Sequence, residues 1–181
     1  ETRAALGAGQ WPARAPDRNL ADLKAQIAAC QAGAASVAEM IETYGAEAVH
    51  AYMGFVQANA AACVRRAVGR LADGEARVPM DGGGEIVVRT TVDAARGETV
   101  LDFTASADQL ASNFNAPSAI VDAAALYVFR TLVDDDIPLN AGCLAPLGVV
   151  TREGSMLAPR PPAAVVAGNV ETSQHVVDAL Y

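Results

Sequence analysis

The amino-acid sequence predicts an α+β or mixed α/β fold, because the spacing of its apolar residues changes along the chain. A three-or-four spacing covers the first 72 residues, strict alternation follows, and the last third mixes short apolar runs with helical patterns. These periods are typical of amphipathic helices and half-buried strands. We therefore expect a helical hairpin region over residues 1–72 and a mixed α/β region over residues 73–181.

The helical hairpin is predicted from two apolar stripes joined by a short link. In the first helix, apolar residues recur at helical spacing from Leu20 to Ile41, and Gly45 stands where a helix can stop. In the second, the same spacing runs from Val49 to Leu71. A link this short favours two antiparallel neighbours.

An antiparallel three-stranded meander is predicted next. Alternating apolar residues mark strands at 75–78, 85–92 and 99–103, and turn-forming residues separate them at 81–84 and 93–97. The glycine triplet in the first turn precedes a strand and lacks a following G-K-[ST], so it does not resemble a phosphate-binding loop.

The pattern of apolar residues after the meander predicts a mixture of strands and helices. We expect a helix from the S-N-F-N-A-P turn at 112–117 to about Val133, short strands at 147–151 and 163–167, and a final helix beginning near Glu171. The backbone amides at the start of that final helix would then point outward at its positive end, where an anion is stabilised.

Three consecutive acids, Asp134 to Asp136, follow the predicted helix that ends near Val133. Acidic side chains at the negative end of a helix are unfavourable. Solvent, a cation or a nearby arginine must therefore offset them, and a solvated acidic turn is the simplest interpretation of the three.

Composition excludes several classes of partner. Of the 181 residues, 52% are hydrophobic, and 13 basic against 21 acidic side chains give a net charge of −8. This charge opposes binding to nucleic acid and to anionic membranes. No apolar run approaches the length of a membrane span, and the first residues do not show a signal-peptide pattern. The cysteines Cys30, Cys63 and Cys143 are widely separated and fit reduced, mostly buried thiols, so we expect a cytoplasmic protein.

Both ends of the chain suggest a piece of a longer protein. It begins with Glu1 rather than Met, and it ends inside an apolar-periodic segment without a helix-stopping residue. We expect a fragment of a larger catalytic subunit.

Long and unusual motifs occur in the last third: D-I-P-L-N-A-G-C at 136–143, and E-G-S-M-L-A-P-R-P-P-A-A-V-V-A-G-N-V-E-T-S-Q at 153–174. Looser matches lie at 19–29, 100–104 and 113–117. Together these stretches resemble the hydantoinase B and 5-oxoprolinase family over nearly the whole chain.

The resemblance implies an ATP-dependent enzyme that opens a cyclic amide such as 5-oxoproline, a hydantoin or N-methylhydantoin. It implies that a hydantoinase A-like subunit or region binds ATP and Mg²⁺ and phosphorylates the carbonyl oxygen. The part similar to this chain would then act on the phosphorylated intermediate and be inactive alone. A divalent transition metal is implied for the full-length subunit, with ligands outside this segment.

Two alternatives remain open within this resemblance. Similar proteins carboxylate acetone or acetophenone, since that reaction also activates a carbonyl oxygen by phosphorylation. The segment could instead serve as a non-catalytic assembly module that packs its helical hairpin against the partner subunit.

The same resemblance points to candidate site residues around the final helix start. Glu171 and Ser173 are the catalytic candidates, Glu171 as the group that takes a proton from attacking water. The substrate-binding candidates are Asn140, Gly142, Asn169, Thr172 and Gln174. The alternative for residues 169–174 is a helix cap whose polar groups satisfy one another. His175 stands where the family often has arginine, and Cys143 fits a core thiol rather than a nucleophile.

Overall fold

Residues 1–181 are all described by the structure, a computed structural model, and they form two units, residues 1–53 and 54–181. The predicted class is confirmed, because helices precede a sheet that is followed by mixed elements. The helices are α1 (Thr2–Gly7), α2 (Pro16–Tyr44), α3 (Ala46–Val68), α4 (Ser118–Thr131) and α5 (Ser173–Leu180). The strands are β1 (Gly74–Pro79), β2 (Glu85–Asp93), β3 (Glu98–Asp102) and β4 (Leu147–Val150).

The first unit is built on α2. Pro16 opens this helix in its first turn, where the missing N–H costs nothing, and Gly45 ends it at a φ of 83°. The short helix α1 contacts α2, and Arg3 pairs with Asp17 at 3.0 Å. No residue of α2 is buried. The two predicted helices and their short link are thus confirmed, but the apolar face predicted for α2 is not buried.

The second unit contains a four-stranded sheet in the order β1-β2-β3-β4. The meander is confirmed, because β1 pairs with β2 and β2 with β3 in antiparallel register. The strand predicted at 147–151 exists as β4, and it joins the sheet by pairing parallel to β3. The sheet is therefore mixed, and long-range pairing of β3 with β4 brings the tail of the chain back to the meander.

The core of the second unit lies between this sheet and one face of helices α3, α4 and α5. Helix α4 packs against α5, and α5 contacts β1 and β2. The largest fully buried side chains are Phe103, Ile86, Leu101, Met156, Leu157, Val64, Val68, Val88, Val121, Val128 and Val176. Each contributes about 1.5–3 kcal/mol on burial. The end of α3 supplies part of this core through Ala60, Cys63, Val64 and Val68.

The segment before α5 differs from the prediction. Residues 163–167 form turns and not a buried strand, and Val166 is 74% exposed. A π-helical turn, Gly168–Thr172, follows and leads directly into α5 at Ser173. A run of apolar residues alone does not separate a buried strand from a proline-stiffened turn. None of the helices combines enough length and apolar content to span a membrane.

An ion-pair network covers the edge of the sheet at β1. Glu75 accepts hydrogen bonds from Arg89 at 2.9 Å and from Arg77 at 2.9 and 3.1 Å. Arg77 also contacts Glu85 at 3.2 Å. Hydrogen bonds from Arg89 and then Arg77 lower the pKa of the Glu75 carboxyl below its ordinary value of 4.5. Charged side chains on an edge strand also discourage pairing with other chains.

This network predicts a dependence of stability on pH. Because the Glu75 pKa is lower in the folded than in the unfolded chain, its stabilisation is present above about pH 4.5 and is lost as the pH falls through the folded value. Glu75→Gln should therefore lower the melting temperature near neutral pH and reduce its fall in acid. Glu42→Gln, on exposed α2, is the control. The melting temperature of each protein is measured as a function of pH. If it falls equally in acid for the wild type and for Glu75→Gln, the prediction is contradicted.

Candidate functional site

The buried side-chain amide of Asn115 joins two of the polar motifs singled out in the sequence. Asn115 is fully buried, and its Nδ2 donates to the carbonyls of Leu110, Ser112 and Ala164 at 2.9, 3.0 and 3.1 Å. Its Oδ1 accepts from the Leu110 amide at 2.8 Å. Asn115 does not cap the following helix, because α4 begins after Pro117 without a side-chain cap. Asn115 instead ties the 110–116 loop to residue 164.

The same loop lies directly against the turn that precedes α5. The Ala167 amide donates to the Asn113 carbonyl at 3.0 Å. A Cβ placed on Gly168 would overlap the carbonyl oxygen of Asn115, so only glycine permits this approach of two backbones. Thr172, fully buried, donates its Oγ1 proton to the Phe114 carbonyl at 2.5 Å. These contacts fix the position of the π-helical turn.

Most backbone amides of the turn are occupied within the turn. Those of Val170, Glu171 and Thr172 all donate to the Ala167 carbonyl, at 3.2, 2.8 and 3.4 Å. The outward-pointing amides expected at the helix start are therefore directed to protein oxygens. Chemistry at this surface would come from side chains instead of from free helix-terminal amides.

The exposed polar side chains of the turn and of the first residues of α5 are those of Asn169, Glu171 and Gln174, and Val170 is exposed between the first two. Ser173 is partly buried and donates its Oγ proton to the Asn169 carbonyl at 2.9 Å. The structure thus brings the two catalytic candidates onto one surface turn with two of the binding candidates. Thr172 points the other way, and its buried hydroxyl contacts the Phe114 carbonyl rather than solvent.

Asn140 and Gly142 form a separate turn, Ala141–Leu144, of 3₁₀ geometry. Asn140 accepts a hydrogen bond from the Gly142 amide at 2.8 Å and donates to the Pro138 carbonyl at 2.8 Å. A Cβ on Gly142 would overlap the main-chain oxygen of Gln57 in α3. No hydrogen bond joins Asn140 or Gly142 to residues 167–174.

One of the three acids after α4, Asp135, has an arginine partner. Arg66 lies 3.4 Å from Asp135 and 3.1 Å from the sulfur of Cys63. All three acids are exposed, so the acidic turn is solvated as expected, and an arginine also contacts one of its members. No three His, Cys, Asp or Glu side chains cluster as metal ligands in the structure. Cys143 is fully buried, as expected for a core thiol.

One contact at this surface was not predicted from the sequence, namely the hydrogen bond of the His175 ring. Its Nδ1 lies 3.0 Å from the main-chain oxygen of Glu171, one helical turn earlier. The i to i+4 spacing of the two residues is the signal that could have suggested it.

The Thr172 hydrogen bond can be tested through stability. Thr172→Val keeps the shape of the side chain but leaves the buried Phe114 carbonyl without its donor, which should cost about 1–3 kcal/mol. Thr91→Val, on the exposed face of β2, is the matched control and should change stability by less than about 0.5 kcal/mol. Urea unfolding measures both. Equal midpoints would show that the hydroxyl does not brace the turn.

Comparisons with known proteins agree with this fold. Similar curated proteins include 5-oxoprolinase 1 of Arabidopsis thaliana, 44% identical over 90% of this chain, and 5-oxoprolinase of Saccharomyces cerevisiae, 36% identical over 95% of it. The chain spans 14% of the length of each. The crystal structure of ATP-dependent caprolactamase from Pseudomonas jessenii matches 93% of this chain and 30% of that one, with a TM-score of 0.74 and 20% identity.

The family assignment depends on a match along the chain rather than on one motif. The family model described as Hydantoinase B/oxoprolinase matches residues 3–181. That range includes both polar turns joined by Asn115 and the turn of Asn140. The chain therefore belongs to the Hydantoinase B/oxoprolinase family.

Proposed function

We propose that this chain supplies substrate-side residues of an ATP-dependent hydrolase that opens a cyclic amide, with 5-oxoproline, hydantoin and N-methylhydantoin as the candidate substrates. The observation that carries the proposal is the braced turn at residues 168–174, which exposes Glu171 beside neutral amide side chains. Support comes from the relatives named 5-oxoprolinase, which match this chain over nine-tenths of its length or more. We place the enzyme in the cytoplasm.

The chemistry requires the amide to be activated first. A lactam carbonyl is a poor electrophile, and phosphorylation of its oxygen creates a better one. In this proposal Glu171 takes a proton from the attacking water, and Ser173 helps to fix the reacting groups. Asn169 and Gln174 donate hydrogen bonds to the phosphorylated substrate. Thr172 contributes by holding the turn, and Asn140 with Gly142 form the second substrate-side turn.

Neither the nucleotide nor a metal fits the residues of this chain. The glycine turn at 82–84 leads into β2 and not into a helix, so it lacks the geometry that cradles phosphates. No trio of ligating side chains is present for a divalent transition metal. We assign ATP and Mg²⁺ to a hydantoinase A-like subunit or region, and the metal ligands to another part of the longer protein.

The catalytic assignment of Glu171 is tested in the assembled enzyme with ATP and each cyclic amide. Glu171→Gln should lower kcat by about 10²- to 10⁴-fold, the usual contribution of a general base. Asp178→Asn removes an exposed carboxylate from the same helix and should leave turnover unchanged. The ring-opened amino acid and ADP are both quantified by chromatography. Full turnover in Glu171→Gln would remove Glu171 from the reaction.

A second candidate function, assembly with the partner subunit, is favoured by the surface of α2. Its apolar stripe is solvent-accessible in the structure: Leu23 is 40%, Ile27 59% and Tyr44 70% exposed. A long helix with an uncovered apolar stripe is suited to packing against another protein surface. We propose the hydantoinase A-like subunit as that surface, in addition to the catalytic role.

Association of the two subunits tests the assembly role. Ile27→Lys should weaken binding by about 10- to 100-fold, since burying one such side chain is worth about 1.5–3 kcal/mol. Ala32→Lys introduces the same charge on the opposite face of α2 and is the control. Sedimentation velocity measures both. Unchanged binding by Ile27→Lys would exclude this face of α2 from the interface.

A further inference from the structure

The hydrogen bond of His175 determines which of its ring nitrogens carries the proton. Nδ1 lies 3.0 Å from the main-chain oxygen of Glu171. A carbonyl oxygen can only accept, so Nδ1 must be the donor. The neutral ring is therefore the Nδ1–H tautomer, and its Nε2 carries an unprotonated lone pair.

This arrangement prepares Nε2 to receive a proton. Uptake at Nε2 leaves the Nδ1–H bond to Glu171 in place, so the charged ring needs no reorientation. The ring is also partly buried on α5, whose start is fixed by the contacts of Thr172 and Gly168. A backbone carbonyl that orients an imidazole in this way is a common device in sites where the other nitrogen acts.

Ring opening requires two proton transfers. In a lactam phosphorylated on oxygen, the carbon is doubly bonded to a nitrogen that has no hydrogen. Water adds its oxygen to that carbon, the carbon–nitrogen bond breaks, and both water protons end on the departing amine. The other product is a carboxylic–phosphoric anhydride, which a second water hydrolyses to a carboxylate and inorganic phosphate. A single base such as Glu171 accounts for only one of the two proton transfers from water to the ring nitrogen.

We propose that His175 carries the second proton, which rests on the proposed ring-opening function. Glu171 takes the first proton as water adds and gives it to the ring nitrogen, which returns Glu171 to its ionised form. Nε2 of His175 takes the proton of the resulting hydroxyl as the carbon–nitrogen bond breaks, and then gives it to the nitrogen. The neutral Nδ1–H ring is restored at the end of the cycle. Glu171 lies in the π-helical turn and His175 in the first turn of α5, which follows directly, and the hydrogen bond between them links the two elements.

The tautomer is tested directly by nitrogen NMR on the ¹⁵N-labelled 181-residue chain, through long-range correlations between ring protons and ring nitrogens. We expect the neutral ring of His175 to show a protonated Nδ1 and an unprotonated Nε2. A predominant Nε2–H tautomer, or averaging between the two, would overturn the inference. Exposed His50 in the same spectrum is the internal control.

The role is tested in the assembled enzyme with two variants. His175→Asn can retain a donor to the Glu171 carbonyl in place of Nδ1 but has no group in place of Nε2. His175→Gln has a polar group in place of Nε2 but no donor in place of Nδ1. Because neither side-chain amide can take up and release a proton near neutral pH, both variants should lower kcat by about 10²-fold or more while KM changes by less than about threefold. The first equivalent of ADP per site should still form, since phosphorylation precedes the step.

The outcomes separate this inference from the function on which it rests. If the wild-type complex shows no ATP-dependent opening of any cyclic amide, the proposed function fails. If the wild type turns over and His175→Asn keeps its kcat within about threefold, the function stands and the role of His175 is rejected. Loss of ADP formation in both variants would also reject it, because His175 would then act before ring opening.

Discussion

The second unit depends on the burial of one neutral amide, that of Asn115. Three of its four hydrogen bonds hold the loop before α4 together, and the fourth connects this loop to Ala164 in the segment before α5, about fifty residues away in sequence. Burying an amide without hydrogen-bond partners costs several kcal/mol. The side chain of Asn115 is therefore stable in the core only when its donors and its acceptor are all paired. The two segments then approach closely enough that position 168 has room only for glycine. The turn that leads into α5 is positioned by this junction and by the buried hydroxyl of Thr172.

The junction also determines what the turn can offer to a substrate. Its amides donate to the Ala167 carbonyl and its hydroxyls to main-chain oxygens, so the backbone is largely satisfied and rigid. What remains exposed is a set of side chains on a fixed frame, among them Asn169, Glu171 and Gln174. Groups held in place before the reaction need no reorganisation during it, which is the condition for electrostatic and proton-transfer catalysis.

Regular elements could be predicted from the sequence because their apolar spacing is local. The meander, α2, α3 and α4 all follow from period two or period 3.6, with glycine marking the end of α2. The parallel pairing of β4 with β3 could not be predicted, because it joins residues more than forty positions apart. The predicted strand at 163–167 failed because its valines face solvent in a turn that follows three prolines. Whether an apolar residue is buried depends on its neighbours in space. The apolar stripe of α2 is a second example, because it was predicted from spacing but is not buried.

The candidate turn could be singled out from the sequence, but its hydrogen bonds could not be predicted. The unusual run of amides and hydroxyls at 169–174 marks the turn, but it does not distinguish buried Thr172 from exposed Glu171. Nor does it show that Asn115 braces the turn and that Asn140 belongs to a different one. Those distinctions arise from hydrogen bonds between distant segments, and a single sequence contains no record of them.

Charge limits what this surface can do without a partner. The chain carries a net charge of −8, and residues 167–174 include no arginine or lysine. A phosphorylated substrate is an anion, and neutral amide donors bind it more weakly than charge-assisted donors do. Under the proposed function, the balancing positive charge has to come from a group outside the turn. In that proposal the turn contributes orientation and proton transfer, and attraction of the phosphoryl group is assigned to the subunit or region that we propose to carry Mg²⁺ and nucleotide. Such a separation of tasks would place the strongest charges where phosphorylation occurs, and it would leave the ring-opening side with neutral donors that do not hold the phosphate product tightly.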